Sequence, residues 1–473
     1  MTDLHYLPAT EALRAFRSGE LSPVELVTAV IDRAEAVEPV INAFAETFYD
    51  QALKQARAAE ARYAGKGGTP RPLEGLPVAV KEEAEIAGQH NTLGSLPLRD
   101  VVAQQTSVFV QRIIDAGGIV HARTTTPEFS CAPVTWSRLW GVTRNPWHTD
   151  YSPGGSSGGS AAALAAGTAA LATGSDIGGS IRIPASFCGV VGFKPPYGRV
   201  PEMEIFNLDH YCHEGPLART VADCALLENV IAGPHPSDVV SIRPKLEIPG
   251  ELAPAAGLRI AFCADLGCYD VDADVAANSR AAADRLRYAG AHVEDVELPW
   301  DLEAIKRAAD IHFGMIFGPS MKEIYAKHAD ELTSYTRAFV AAADRVSKDD
   351  YVPGLLLERQ IYAPLGELLD EFDALICPTF AVPALPAEYD PGQPVEVNGR
   401  ASTDWLDVMM TLPFNIASRC PVMSVPSGLS RDGVPTGLSI VGKTYDDVTV
   451  FRIAAAHEEQ MPWMDMPKRR PGL

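Results

Sequence analysis

Basic residues are scarce in this chain: 40 lysines and arginines stand against 61 aspartates and glutamates, a formal charge of −21. The imbalance argues against nucleic acid as the main partner, because phosphate binding rests on clustered lysine and arginine and on the counterions they release. A secretory leader is not expected either. The segment Met1 to Ala15 carries Asp3, Glu11 and Arg14 and holds no apolar core of the kind that export requires. The longest uncharged stretch, Tyr151 to Ser175, has only Leu164 and Leu171 as larger aliphatics, so no membrane span is expected. Eight cysteines form no C-x-x-C pair and no dense framework, which points to free buried thiols in a reducing cytoplasm. H-E-x-x-H is absent. Asp209, His210, Cys212 and His213 form the one local group of metal-ligand residue types, and it lacks a paired second half. Neither a metal nor a cofactor is expected.

What is present is material for a core, with 47% hydrophobic and 21% charged residues, the balance of a soluble globular protein. Ser22-Pro23-Val24-Glu25 predicts a helix start, with an N-cap, a proline at the first helical position and a glutamate three residues after the cap. A second helix is expected from about Val40 to Tyr63, ended by the loop Gly65 to Pro72. Leu76-Pro77-Val78-Ala79-Val80-Lys81 then predicts a short apolar strand ending in a lysine. Thr106 to Ala116 and Ile119 to Ala122 predict a helix-to-strand unit. Further on, Leu258 to Phe262, a helix over Ala276 to Ala289 and His292 to Leu298 suggest a peripheral layer. Residues 300 to 370 read as mostly helical. Strands at Phe372 to Ile376, Val422 to Pro426 and Gly437 to Val441 and a helix near 446 to 460 complete the pattern. No repeat or break in composition divides the chain, so one domain over residues 1–473 is expected.

Gly154 to Gly192 is the unusual part, holding ten of the 38 glycines and only Asp176 and Arg182 as charges. A linker would carry more charge and would lack the helix-forming run Ser160 to Ala166, so packed loops pressed close to a neighbour are expected. Gly154-Gly155-Ser156-Ser157-Gly158 satisfies G-x-S-x-G. A nucleophile elbow, however, needs a strand immediately before it, and the loop-like Asn145 to Pro153 stands there instead. Phosphate-loop patterns fail as well. What remains is a glycine-embedded Ser156, a second glycine-flanked Ser180, and Lys81 at the end of a buried strand.

Pro153-Gly-Gly-Ser-Ser-Gly-Gly-Ser-Ala-Ala-Ala, followed by Gly174-Ser-Asp-Ile-Gly-Gly-Ser-Ile-Arg-Ile-Pro184, resembles the signature of the amidase signature hydrolases almost letter for letter. Pro77 to Lys81, Arg144 to Trp147, Gly192 to Pro195, Gly215 to Asp223 and Gly437 to Gly442 extend the likeness. The resemblance implies a single α/β/α domain around a large mixed sheet. Residues 1–64 would supply N-terminal helices, 70–240 the signature core, 245–405 a more variable α/β and helical region on the substrate side, and 410–460 a return to the core. It further implies a Ser-Ser-Lys triad: Ser180 as nucleophile, Ser156 as bridging serine after a cis peptide from Gly155, and Lys81 as base. A serine hydroxyl is a weak nucleophile until a neighbour takes its proton, and a lysine amine can do so through a second hydroxyl. Backbone N–H groups of Ile177, Gly178, Gly179 and Ser180 would form the oxyanion hole. Asp176 and Arg182 would brace the loop as an ion pair. Ser130 would stand at the acyl-pocket wall with its carbonyl towards substrate. Cys131, Trp136, Ile205, Phe206 and Tyr211 are weaker lining candidates.

Two departures matter. Glu82 replaces the Asp that commonly follows the lysine, and Lys81-Glu82-Glu83 replaces the Lys-Asp-Asn of the amidotransferase branch. Thr125-Thr126 replaces the usual Thr-Asn before the pocket loop. The expected activity is hydrolysis of a carboxamide-type C–N bond in a small molecule through a serine acyl-enzyme, releasing an acid and an amine or ammonia. The alternatives are the glutaminase subunit of an aminoacyl-tRNA amidotransferase, which works with partners, and a hydrazide- or urea-type C–N hydrolase with the same triad. A homodimer is compatible with the family pattern.

Overall fold

The computed structural model describes residues 3–202, 205–464 and 469–473. The capping box at Ser22 opens the helix Pro23–Ile41 as predicted, with Val24 donating to Ser22 Oγ at 3.0 Å and Ser22 N–H donating to Glu25 Oε2 at 2.8 Å. The helix expected from Val40 to Tyr63 is in fact divided. Asn42 takes a left-handed conformation at φ 50°, and the Glu38 carboxylate accepts the N–H groups of Ala43 at 2.9 Å and Phe44 at 3.0 Å. Those bonds replace helical partners and release the chain into the short strand Phe44–Thr47 before the helix Tyr49–Tyr63 begins.

One sheet of 11 strands runs through the molecule. In spatial order they are Phe44–Thr47, Ile119–Thr124, Pro77–Lys81, Leu171–Ser175, Glu214–Ala218, Val191–Lys194, Val422–Leu429, Pro435–Gly442, Ala374–Pro378, Arg259–Phe262 and His292–Asp295. The sheet is mixed, and its parallel pairs lie towards the two ends. All four stretches distinguished in the sequence contribute strands to it. The predicted peripheral layer forms its far edge, where Ala273–Tyr288 connects the last two parallel strands. Helices cover the sheet, and Val78 and Val80 alternate with Ala79 between two separate apolar clusters, one against each face.

Pro77–Lys81 and Leu171–Ser175 lie side by side and parallel, so Lys81 and Ser175 finish at the same edge of the sheet. The helix Gly158–Ala166 packs beneath them with every residue buried. Only small side chains allow this: a Cβ on Gly159 would stand 2.5 Å from the Thr125 nitrogen.

Candidate active site

Lys81 is 1% exposed, and its Nζ meets three partners: Ser156 Oγ at 2.7 Å, Ser175 Oγ at 2.9 Å and Glu83 Oε1 at 2.8 Å. Three acceptors match the three hydrogens of a lysine ammonium. In the same arrangement a neutral amine accepts from Ser156 while donating to the other two. Sequence reasoning found the Lys81–Ser156 contact but missed Ser175 and Glu83. It weighed Glu82, whose carboxylate turns away to accept the Thr92 N–H. Glu83 is the residue at the lysine. Burial would raise its carboxyl, but the Lys81 charge and hydrogen bonds from Lys81 and Ser130 outweigh that and hold it below the ordinary value.

Ser156 follows a cis peptide bond from Gly155, as expected. Gly155 lies so close to the neighbouring loop that a Cβ would be 2.5 Å from both the Ala132 oxygen and the Val134 nitrogen. The segment before it is loop, which leaves no strand for a nucleophile elbow. Ser180 is 8% exposed. Among the described residues its hydroxyl makes no hydrogen bond, and the N–H groups of Ile177, Gly178, Gly179 and Ser180 donate to nothing. Four adjacent free donors beside a serine are a concave site for a developing oxyanion.

That loop is held from outside. Arg182 clasps Asp176 through Nη2–Oδ1 at 2.8 Å and Nε–Oδ2 at 2.9 Å, both side chains being fully buried, as the expected brace requires. Burial opposes the Asp176 charge, but the guanidinium and the Asn415 amide outweigh it and keep the carboxyl well below its usual range. Asn415 donates to Asp176 Oδ1 at 2.8 Å, and Thr411 donates to the Gly178 carbonyl at 2.6 Å. Neither residue carried a signal in the sequence, because both arrive from a segment more than 200 positions away.

Two cavities meet at Ser130 and Ile177. The larger, about 370 Å³, reaches Ser156, Ser175 and Glu83. The smaller, about 30 Å³, reaches Gly155, Gly178 and Ser180 and is otherwise mostly apolar. Phe129 and Ser130 both take left-handed conformations, at φ 51° and 54°, and the Ser130 hydroxyl bonds to Thr126 at 2.9 Å and to Glu83. Of the weaker lining candidates, Ile205 and Phe206 line the large cavity and Cys131 the small one. Trp136 packs edge-on against Tyr335 and Tyr211 stacks on His312, so neither ring lines these cavities. The metal-type group does not assemble as spelled in the sequence. Asp209 and His210 instead approach His312, with Asp209 accepting from His312 Nε2 at 2.6 Å and Glu358 pairing with His210 at 3.2 Å, while His213 faces the Asp176 carbonyl.

A lysine-bonded serine beside a serine in a loop of free N–H groups is the arrangement of a hydrolase that handles acyl groups. Comparison with known proteins narrows this. Residues 25–451 match the family model described as Amidase. The chain is 32% identical to an acylamidase of Rhodococcus erythropolis, over 98% of this chain and 97% of that protein. It is 33% identical to the A-type subunit of the glutamyl-tRNA(Gln) amidotransferase of Carboxydothermus hydrogenoformans, over the whole of both. Among solved structures, a bacterial aryl acylamidase of the amidase signature family superposes with a TM-score of 0.92 at 30% identity, covering 99% of each chain. The chain belongs to the amidase signature family, and it is an enzyme that hydrolyses amide C–N bonds.

Proposed function

We propose that this enzyme cleaves small-molecule amides through an acyl-enzyme on Ser180, with Ser156 as proton bridge and Lys81 as base. The observation that carries the reading is the 2.7 Å bond from the buried Lys81 to Ser156, which lines the large cavity where it meets the small one that Ser180 lines. Ser180 Oγ attacks the carbonyl carbon as its proton passes to Ser156 and from there to Lys81. The Ser156–Ser180 bond closes when substrate orders the site. Charge on the carbonyl oxygen falls to the N–H groups of Ile177, Gly178, Gly179 and Ser180, and each donor of this kind is worth roughly 3 kcal/mol. Collapse breaks the C–N bond, Ser156 returns the proton to the departing nitrogen, and water then releases the acid. Ser130 shapes the wall between the cavities.

The free-standing hydrolase is favoured over the amidotransferase component by the cavity lining. The ionisable residues that line the large cavity, Glu83, Glu85, Glu202 and Glu214, are all acids, a poor setting for the carboxylate of glutamine. No described helix is long and apolar enough to cross a membrane. We place the enzyme in the cytoplasm, where its eight free cysteines stay reduced. The purified chain, without tRNA, ATP or a second polypeptide, should turn over simple anilides or aliphatic amides, and a fluorophosphonate should label Ser180 alone. Ser180→Ala should abolish both. Labelling elsewhere sinks the assignment, and glutamine use that appears only with a partner, every simple amide being inert, favours the amidotransferase reading.

A further inference from the structure

The large cavity holds an acid that the amide chemistry leaves unused. Glu214 is 7% exposed and opens into the cavity, yet among the described residues its carboxylate takes part in no hydrogen bond or ion pair. Its position is fixed by the sheet: Glu214–Ala218 runs antiparallel to Leu171–Ser175 with Glu214 opposite Ser175, the residue that accepts from Lys81. Directly opposed residues share a face, so the carboxylate stands beside the lysine end of the site. Glu202 lines the same cavity, and its carboxylate has the weak S–H donor of Cys212 at 3.8 Å as its partner. Glu83, by contrast, is already paired with Lys81.

A buried carboxyl without a partner is costly, and once ionised its complement is a donor-rich cation. Phe129, Phe206 and Phe317 also line this cavity, so the cation fits best on an apolar stem. The two cavities divide the substrate. Ser156, which returns the proton to the leaving nitrogen, opens to the acidic cavity, whereas Ser180 opens to the small apolar one. Building on the proposed amidase reading, we infer that the acidic cavity is a leaving-amine subsite for amines bearing a second, protonated nitrogen, so that the substrates are N-acylated diamines with a small acyl group. The C–N bond breaks, water supplies the hydroxyl of the acid and the hydrogen of the amine, and acid and diamine leave. Burial, then repulsion from Glu202 and Glu83, pushes the Glu214 carboxyl well up, and burial together with Glu83 pushes Glu202 up to about 8. An arriving ammonium would displace those protons.

The test compares kcat/KM for N-acetyl-1,5-diaminopentane, N-acetylpentylamine and N-acetyl-5-aminopentanoate, which are matched in size and differ in charge. The cationic amide should exceed the neutral one by roughly tenfold or more, and the anionic one should be poorest. Glu214→Gln should shrink the cation-to-neutral ratio, with Glu202→Gln as a second variant. Titration of Ser180→Ala with 1,5-diaminopentane should show binding that weakens on adding Glu214→Gln. Equal rates for all three amides overturn the subsite and leave the hydrolase standing. Binding of the diamine with every amide inert does the reverse. Uptake of Mg²⁺ instead of the diamine, in the same titration, also overturns the subsite.

Discussion

Lys81 shows how one neighbour changes the chemistry asked of a residue. In the proposed mechanism the lysine amine works through Ser156 Oγ at 2.7 Å, and the Glu83 carboxylate at 2.8 Å holds it on that line. Glu83 therefore positions the amine. Glu83→Gln keeps a hydrogen-bond acceptor beside the amine whereas Glu83→Ala removes it, so kcat/KM should fall by roughly tenfold or more in Glu83→Ala and be largely kept in Glu83→Gln. Both are measured on an uncharged amide to keep substrate ionisation out of the result. An equal loss in the two variants would mean that the charge of Glu83, and not its place as an acceptor, matters to the amine.

At the scale of the element, the loop that carries Ser180 depends on partners it does not itself supply. Asp176 and Arg182 are both fully buried, and Asn415 and Thr411 tie them to the 409–416 segment. Removing one member strands the other charge, so Asp176→Ala should lower unfolding free energy by about 3–5 kcal/mol, read from denaturant midpoints at unchanged slope. Ser180→Ala, in contrast, should change stability by no more than about 0.5 kcal/mol while activity is lost. A silent Asp176→Ala would show that the loop is held by packing. The contrast also explains what could be read beforehand. Glycine at 155 and 159 is dictated by contacts closer than a side chain allows, and such positions leave a plain mark in the sequence. The apolar run to Lys81 marks its strand equally well. Asn415 and Thr411 leave no mark, because their contacts join residues 239 and 233 positions apart. The Phe44–Thr47 strand was hidden for a similar reason: four residues that follow a helical pattern become a strand only by pairing with Ile119–Thr124. And two adjacent glutamates are indistinguishable on paper, since the turn after the strand decides that Glu83, rather than Glu82, faces the lysine.

On the scale of the whole molecule, acids in the interior make stability depend on pH. Glu82 is 1% exposed, and burial, opposed by hydrogen bonds from Thr92 and by the Arg123 charge, pushes its carboxyl from an ordinary 4.5 up to about 7. Between those values the folded chain keeps a proton that the unfolded chain has released. The resulting stabilisation is complete below about pH 4.5 and is lost as pH rises through 7, an effect of about 3 kcal/mol for a shift of this size. Other acids contribute in both directions, Asp176 in the opposite sense, so the total profile does not isolate Glu82. A difference does. Glu82→Gln mimics the protonated carboxyl and cannot titrate, so its unfolding free energy relative to the native chain should rise from pH 5 to about pH 7 and level off towards pH 8, measured by denaturant titration at each pH. Were that difference flat, Glu82 would be ionised in the folded chain, held by Arg123, whose guanidinium already donates to the Glu82 carbonyl at 2.9 Å.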